Sequence, residues 1–261
     1  MLIARFNHRS EAPSQANDVL WGLVEGEEIL TLNSPPFDRI ERGTDRYPLS
    51  EVDLLAPVCP SKVVAVGWNY EGHIREMGQP LPKEPLIFLK APSSVIGPGA
   101  SVLLPRESSR VDFEGELAIV LGRKCRRVSR KDAGDVILGY TALNDVTARD
   151  LQRKDGQFSR AKSFDTFCPV GPWILTDLDP TAVQVRTRLN GELRQDDNTS
   201  TMLFDPCYII EYVSAAMTLL PGDIVATGTP SGVGPLSPGD EVAVEVEGIG
   251  TLTNRVEREI D

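Results

Sequence analysis

The chain has 261 residues, 27 basic against 38 acidic side chains, and a formal net charge of −11. That length suits one large β-rich domain, or one ordinary domain with an appendage, and it buries a sizeable core. Such acidity opposes phosphate backbones and anionic lipid, and no apolar run approaches the roughly 20 residues of a membrane helix, so neither a nucleic-acid nor a membrane partner is expected.

The opening stretch, MLIARFNHRSEAPSQ, lacks the long apolar segment of a secretory signal. Next comes LWGLVEGEEILTL, which reads as a small β-hairpin module. From about residue 34 to 60 the chain turns polar and proline-containing (Pro35, Pro36, Pro48, Pro57, Pro60), as a linker does. The organisation expected is a small N-terminal β module with its linker over residues 1–57, then a larger, mostly β domain over residues 58–261. Glycine and proline punctuate the whole chain, 22 and 20 residues respectively. Short runs rich in β-branched residues lie between them, at 62–66, 85–89, 116–121, 183–189 and 240–246, and read as strands. Asn190-Gly191 is a two-residue hairpin signal. One helix stands out: Asp205 can cap it, Pro206 suits its first turn, and Ile209, Ile210, Val213, Met217 and Leu220 form its apolar face. Pro221-Gly222 is its expected end.

Six basic residues crowd into nine positions: Arg123, Lys124, Arg126, Arg127, Arg130 and Lys131. They read as a solvated loop or hairpin end. Cys59, Cys125, Cys168 and Cys207 form no C-x-x-C pair, so a zinc site of the usual spacing is not expected, and reduced thiols in a cytoplasm are the default. With only His8 and His73 present, a mechanism that needs imidazole has almost no choice.

Four stretches could carry chemistry. In VDFEGELAIVLG, strand alternation turns Glu114 and Glu116 to one face, in line with Ala118 and Val120. Two carboxylates there repel each other and demand a cation if buried; at a solvent-exposed strand entrance they need none. A third acid, Asp145, follows another apolar run in GYTALNDVTARD. Three carboxylates without imidazole or thiolate partners suit Mg²⁺, Mn²⁺ or Ca²⁺ rather than zinc or copper, although spacing alone does not bring Asp145 to the glutamates. In NYEGHIREMG, one helical turn puts His73 and Glu76 on one face, where the carboxylate can orient the imidazole as a base; an exposed helical pair is the plainer reading. Gly72, Gly78, Pro80 and Pro82 flank it as they would a short lid. The stretch ARDLQRKDGQFSRAKSFDTFCPVGP carries Arg149, Gln152 and Lys162, a lysine that could hold an oxyanion or a substrate carboxylate. Finally, ATGTPSGVGP lacks the G-K-[ST] of a phosphate cradle and reads either as an ordinary turn or as a loop offering amides and the Thr229 hydroxyl.

Taken in order, VGWNYEGHIREMG, FLK, FEGELAIVLG, GYTALNDVTARDLQ, AKSFDTFCPVGP, LNGELRQ and ATGTPSGVGP resemble the fumarylacetoacetate hydrolase family. The resemblance runs from about residue 58 to the C-terminus, within the branch of short acylpyruvate hydrolases, oxaloacetate decarboxylases and 2-hydroxyhepta-2,4-diene-1,7-dioate isomerases. It implies a β-roll or β-sandwich-like catalytic domain, mostly β with some helix, usually dimeric. It further implies that Glu114, Glu116 and Asp145 bind Mg²⁺ or Mn²⁺, and that His73 and Glu76 activate water. Lys162, Gln152 and Thr229 would line the pocket, with Arg149 and Lys90 beside them in family-typical contexts. Two departures stand out. Longer relatives carry a further aspartate upstream of the histidine, for which residues 63–70 offer no acid, and Trp68 precedes Asn-Tyr where relatives have other residues.

The reaction expected is C–C hydrolysis of an acylpyruvate or fumarylpyruvate through a metal-bound pyruvate enolate. His73, backed by Glu76, would take the proton of water, and Lys162 would hold the developing negative charge. Oxaloacetate decarboxylation and dienedioate isomerisation share that enolate. A non-catalytic binder of 2-oxo acids is the alternative of another kind.

Overall fold

Two sheets with a shared core explain why 115–121 is buried at every position rather than alternating. The computed structural model describes residues 1–9 and 19–259, so the last six residues of the stretch read for a leader, 10–15, lie outside the described residues. Strand Gly115–Leu121 is buried along its whole length, as strands covered on both faces are. On one face Leu117, Ile119 and Leu121 pack with Val185, Val244 and Leu252 and with Ile209 and Val213 of a helix. On the other, Ala118 and Val120 meet Val63, Ala65, Leu143, Val170 and Ile3.

The larger sheet has twelve strands. Its main path runs Arg42–Pro48, Glu28–Leu32, Leu20–Glu25, Leu2–His8, Cys168–Leu175, Ile137–Asn144, Gly115–Leu121, Ile224–Ala226, Val63–Gly67 and Leu86–Lys90. Strands from the first 57 residues therefore continue the central sheet, with Leu2 opposite Leu175 and Ile3 opposite Ile174. A five-stranded sheet, Glu192–Asn198, Gln184–Leu189, Glu241–Val246, Gly250–Arg258 and Val102–Leu104, packs against it, and a three-stranded one joins Val111–Phe113 to Thr147–Ala148 and Gly234–Pro235. The molecule is thus mostly β with few helices. No helix among the described residues is long and apolar enough to cross a membrane.

Each of the five expected strands begins and ends within one residue of its reading. Asn190 and Gly191 both take positive φ, 53° and 82°, as a two-residue turn between twisted strands requires. Helix Pro206–Ala216 starts as expected, the Asp205 carboxylate accepting from the Tyr208 amide at 3.0 Å. It ends earlier than Pro221, because Leu219 is extended and exchanges two backbone hydrogen bonds with Cys125. The basic cluster is only in part a solvated loop. Arg126 donates to the Ser214 and Ala215 carbonyls at the helix C-terminus, where a cation also meets the negative end of the dipole. Arg130 pairs with Asp205 at the other end of the same helix.

A candidate metal centre and its base

Glu114 is not inside a continuous strand. It occupies the one-residue break between Val111–Phe113 and Gly115–Leu121, and that break lets it face Asp145. Gly115 pairs with Asn144 and Glu116 with Leu143; just beyond, the Asp145 amide donates to the Glu114 carbonyl at 2.8 Å. The Asn144 side-chain oxygen accepts from the Glu114 amide at 2.9 Å. Carboxylate oxygens of Glu114, Glu116 and Asp145 consequently lie within 4.8 Å of one another, all three buried.

Three like charges in so small a dry volume are costly unless compensated. Lys162, itself buried, bridges two of them, 2.7 Å to Glu114 Oε2 and 2.6 Å to Asp145 Oδ2. Lys90 donates to Asp145 Oδ1 at 2.5 Å and to the Val146 carbonyl at 3.3 Å. Arg149 pairs with Glu114 Oε1. Burial works to raise the Glu114 pKa, but Lys162 and Arg149 hold it below the usual carboxylate range. Burial likewise works to lower Lys162, and Asp145 and Glu114 keep it above its ordinary value. Glu116 differs: burial, then Asp145 and Glu114, push it well up. Among the described residues no cation pairs with it, and its bonded partner is the Gly228 amide at 2.7 Å. The Asn144 side-chain nitrogen and the Tyr70 hydroxyl are buried near this cluster without hydrogen-bond partners. Hard oxygen donors, mutual repulsion centred on Glu116 and unsatisfied polar atoms able to meet water all fit a hydrated divalent cation.

His73 lies in the short helix Glu71–Glu76, buried, with Nδ1 3.2 Å from Glu76 Oε2. Glu76 accepts from the Gly232 amide at 3.1 and 3.2 Å. A carboxylate at Nδ1 fixes the proton there and leaves Nε2 as the basic nitrogen. The glycine-rich loop thus supplies amides, as expected, but to carboxylates of the protein: Gly228 to Glu116 and Gly232 to Glu76. Both glycines have φ near +100°. A Cβ on Gly232 would sit 2.0 Å from the Arg194 carbonyl oxygen, and one on Gly228 2.7 Å from Asn69 Cβ, so no other residue fits.

Several residues expected to touch substrate are engaged within the protein. The Thr229 hydroxyl donates to the Gly115 carbonyl at 2.9 Å and accepts from Gln195 at 2.8 Å. Arg149 uses all three nitrogens, on Asp112 at 2.9 Å, Gln152 at 2.7 Å and Glu114. Lys90 is fully buried against Asp145. In this structure these side chains shape the site. Gln152 stands half-buried beside Arg149. Reading the sequence missed Gln195 and Asp112. Gln195 is fully buried and ties the Gly115 amide to Thr229 and the Pro230 carbonyl, yet in LRQDDN it looks like one more solvated strand residue. Trp68, with φ of 55°, stands edge-on to Phe158, which packs on Phe88, whose ring centre lies 5.1 Å from Lys162 Nζ. One side of the lysine is therefore aromatic.

Comparison with known proteins follows the same lines. A family model described as fumarylacetoacetate (FAA) hydrolase C-terminal matches residues 62–257, and one described as Rv2993c-like, N-terminal matches residues 1–57. Protein Rv2993c of Mycobacterium tuberculosis is 56% identical over 81% of this chain and 81% of its own. The oxaloacetate tautomerase YisK of Bacillus subtilis is 45% identical over 83% of this chain and 77% of its own. Among solved structures, 2-hydroxyhepta-2,4-diene-1,7-dioate isomerase from Mycobacterium marinum superposes with a TM-score of 0.91 at 46% identity, covering both chains fully. Maleylpyruvate hydrolase from Sphingobium sp. SYK-6, solved with manganese(II) and pyruvate, gives 0.81 at 32% identity, again over the full length of both.

Proposed function

The chain belongs to the fumarylacetoacetate hydrolase family, and from that membership we propose a divalent-metal-dependent enzyme that hydrolyses a C–C bond in an acylpyruvate or fumarylpyruvate by way of a pyruvate enolate. The observation that carries this reading is a buried three-carboxylate cluster together with an imidazole whose Nδ1 is held by Glu76. Mg²⁺ or Mn²⁺, held by Glu114, Glu116 and Asp145, would supply Lewis-acid stabilisation of negative charge on the 2-oxo acid.

The chain's own residues supply the rest. His73 Nε2 takes a proton from the water that attacks the distal ketone, and Glu76 stabilises the imidazolium that forms. Lys162 presents an ammonium to the oxyanion; its two carboxylates occupy two of its three donors. Gly232 and Gly228 keep Glu76 and Glu116 from rotating. We further propose a division into a small N-terminal β module, residues 1–57, and a catalytic domain, residues 58–261, working as a homodimer in the cytoplasm.

A second reading, enol–keto tautomerisation of oxaloacetate, is favoured by the relatives of that name at 45–46% identity. It uses the same base and enolate without an attacking water. The test is mass analysis of products from acylpyruvates, oxaloacetate and a hydroxy-dienedioate with Mg²⁺ or Mn²⁺, against chelator, the ultraviolet spectrum being followed in the same tube. Metal-dependent pyruvate with the matching carboxylic acid supports the hydrolase. Spectral change at unchanged mass supports tautomerisation or isomerisation, and pyruvate with CO₂ from oxaloacetate alone supports decarboxylation. Metal-dependent binding without turnover of any of them leaves a 2-oxo acid binder.

A further inference from the structure

We propose that Asp112 is a positioning residue for the metal ligand Glu114, acting through Arg149; the inference rests on the reading that Glu114 holds a divalent ion. Asp112 is fully buried in strand Val111–Phe113, where its neighbours Val111 and Phe113 belong to an apolar cluster with Val146 and Ala148. A carboxylate is a costly occupant of such a place, and packing alone does not call for one. What it does there is hold a guanidinium. Asp112 Oδ2 accepts from Arg149 Nε at 2.9 Å, and both its oxygens accept from Arg110, at 2.9 and 3.2 Å. Pairing of Val111 with Ala148, and a 2.8 Å bond from the Arg149 amide to the Arg110 carbonyl, set the two side chains side by side.

Arg149 then has no freedom left. Its other nitrogens reach Gln152 Oε1 and Glu114 Oε1. Glu114 Oε1 is thereby committed, and Oε2 is the oxygen turned toward Lys162 and Asp145, the side on which the three carboxylates converge. Asp112 also offsets the Arg149 charge. Without it, a buried guanidinium would have Glu114 as its one remaining anion, and would compete with a metal ion for that carboxylate's charge.

Partners that orient a metal's ligands typically contribute 10–100-fold in affinity. The decisive experiment titrates full-length protein with Mn²⁺, reading free Mn²⁺ by electron paramagnetic resonance, and records thermal melting in chelator alongside. Asp112→Asn should weaken Mn²⁺ binding 10–100-fold while the folded fraction at the titration temperature stays at the wild-type level. Arg110→Ala, which removes a half-exposed outer partner, should change affinity by less than about fivefold. Wild-type affinity in folded Asp112→Asn, with or without a lower melting temperature, would assign Asp112 a purely structural role and overturn the inference. Should Asp112→Asn fail to fold, Arg149→Lys carries the same expectation, since lysine keeps the charge but cannot fork between two carboxylates; unchanged Mn²⁺ affinity there overturns it equally. A wild-type chain that binds no Mn²⁺ would bring down the metal reading itself, an outcome separate from the others.

Discussion

Replacing Glu76 by glutamine tests the base assignment most sharply, because the shape hardly changes while the charge and the donor pattern do. Glu76 performs two acceptor duties: toward His73 Nδ1 at 3.2 Å, and toward the Gly232 amide at 3.1 and 3.2 Å. Glutamine has one acceptor oxygen and one NH₂ group. If the oxygen turns to Gly232, the NH₂ group faces Nδ1 and forces the proton to Nε2, so His73 can no longer act as a base. If it turns to His73, the NH₂ group opposes the Gly232 amide at the 3.1 Å position while the oxygen stays 3.2 Å from that amide, so the tether of the short helix is weakened. In a protease triad the analogous loss of tautomer control lowers kcat about 10⁴-fold. Here the Glu76 side chain is 35% exposed, so water can relieve part of the mismatch. We expect a fall in kcat of about 10²–10³, equivalent to roughly 2.7–4.1 kcal/mol in the barrier. Glu76→Ala should be no worse than Glu76→Gln, since water can then serve Nδ1 in the correct sense. The assay follows loss of acylpyruvate absorbance under saturating Mn²⁺, with Mn²⁺ affinity measured in parallel and expected to hold. Activity of Glu76→Gln within threefold of wild type would refute the claim that Glu76 orients His73.

Other expectations follow from the same geometry. Glu116→Gln should abolish divalent-metal binding in calorimetry, and unchanged binding would remove Glu116 from the ligand set. Lys162→Ala takes away the cation shared by Glu114 and Asp145; the metal-free protein should lose about 3–5 kcal/mol by urea unfolding, Mn²⁺ should restore much of it, and kcat should still fall about 10²–10³-fold. The Asp150 pKa is lowered to about 2, hydrogen bonds from Ser108 and Ser109 outweighing the opposing effect of burial. A depressed carboxylate stabilises the fold above its unfolded pKa, and that stability is lost as pH falls through the folded value. Asp150→Asn should therefore be less stable than wild type from pH 7 to about 4, the gap closing as pH drops toward 2. A gap that widens toward acid would contradict the assignment. Leu117→Ala, at a fully buried position in the shared core, should cost about 2–5 kcal/mol in urea unfolding.

Much of this chain is legible residue by residue, because the forces involved are local. Glycine and proline punctuation, β-branched runs and the Asn190-Gly191 turn place strands to within a residue. Asp205 and Pro206 place the start of a helix, and the His73–Glu76 pair needs only one helical turn to meet. Its burial, and the capture of Glu76 by Gly232, require a loop more than 150 residues away. The end of the 206–216 helix was not legible either, since it is set by pairing between Leu219 and Cys125 across the fold.

The chain's own order of residues thus determines which side chains are available and on which strand face or helical turn they stand: Glu114 beside Glu116, His73 beside Glu76, Lys162 ahead of an apolar run. Only the tertiary structure decided that Asp145 joins the two glutamates, that Lys90 and Lys162 neutralise it, and that Arg149, Thr229 and Gln195 serve the scaffold of the site. The reason is electrostatic. Whether a carboxylate is an ordinary solvated group or a strongly perturbed ligand depends on burial and on charges a few ångströms away, and those neighbours are contributed by strands that meet only when the sheets close.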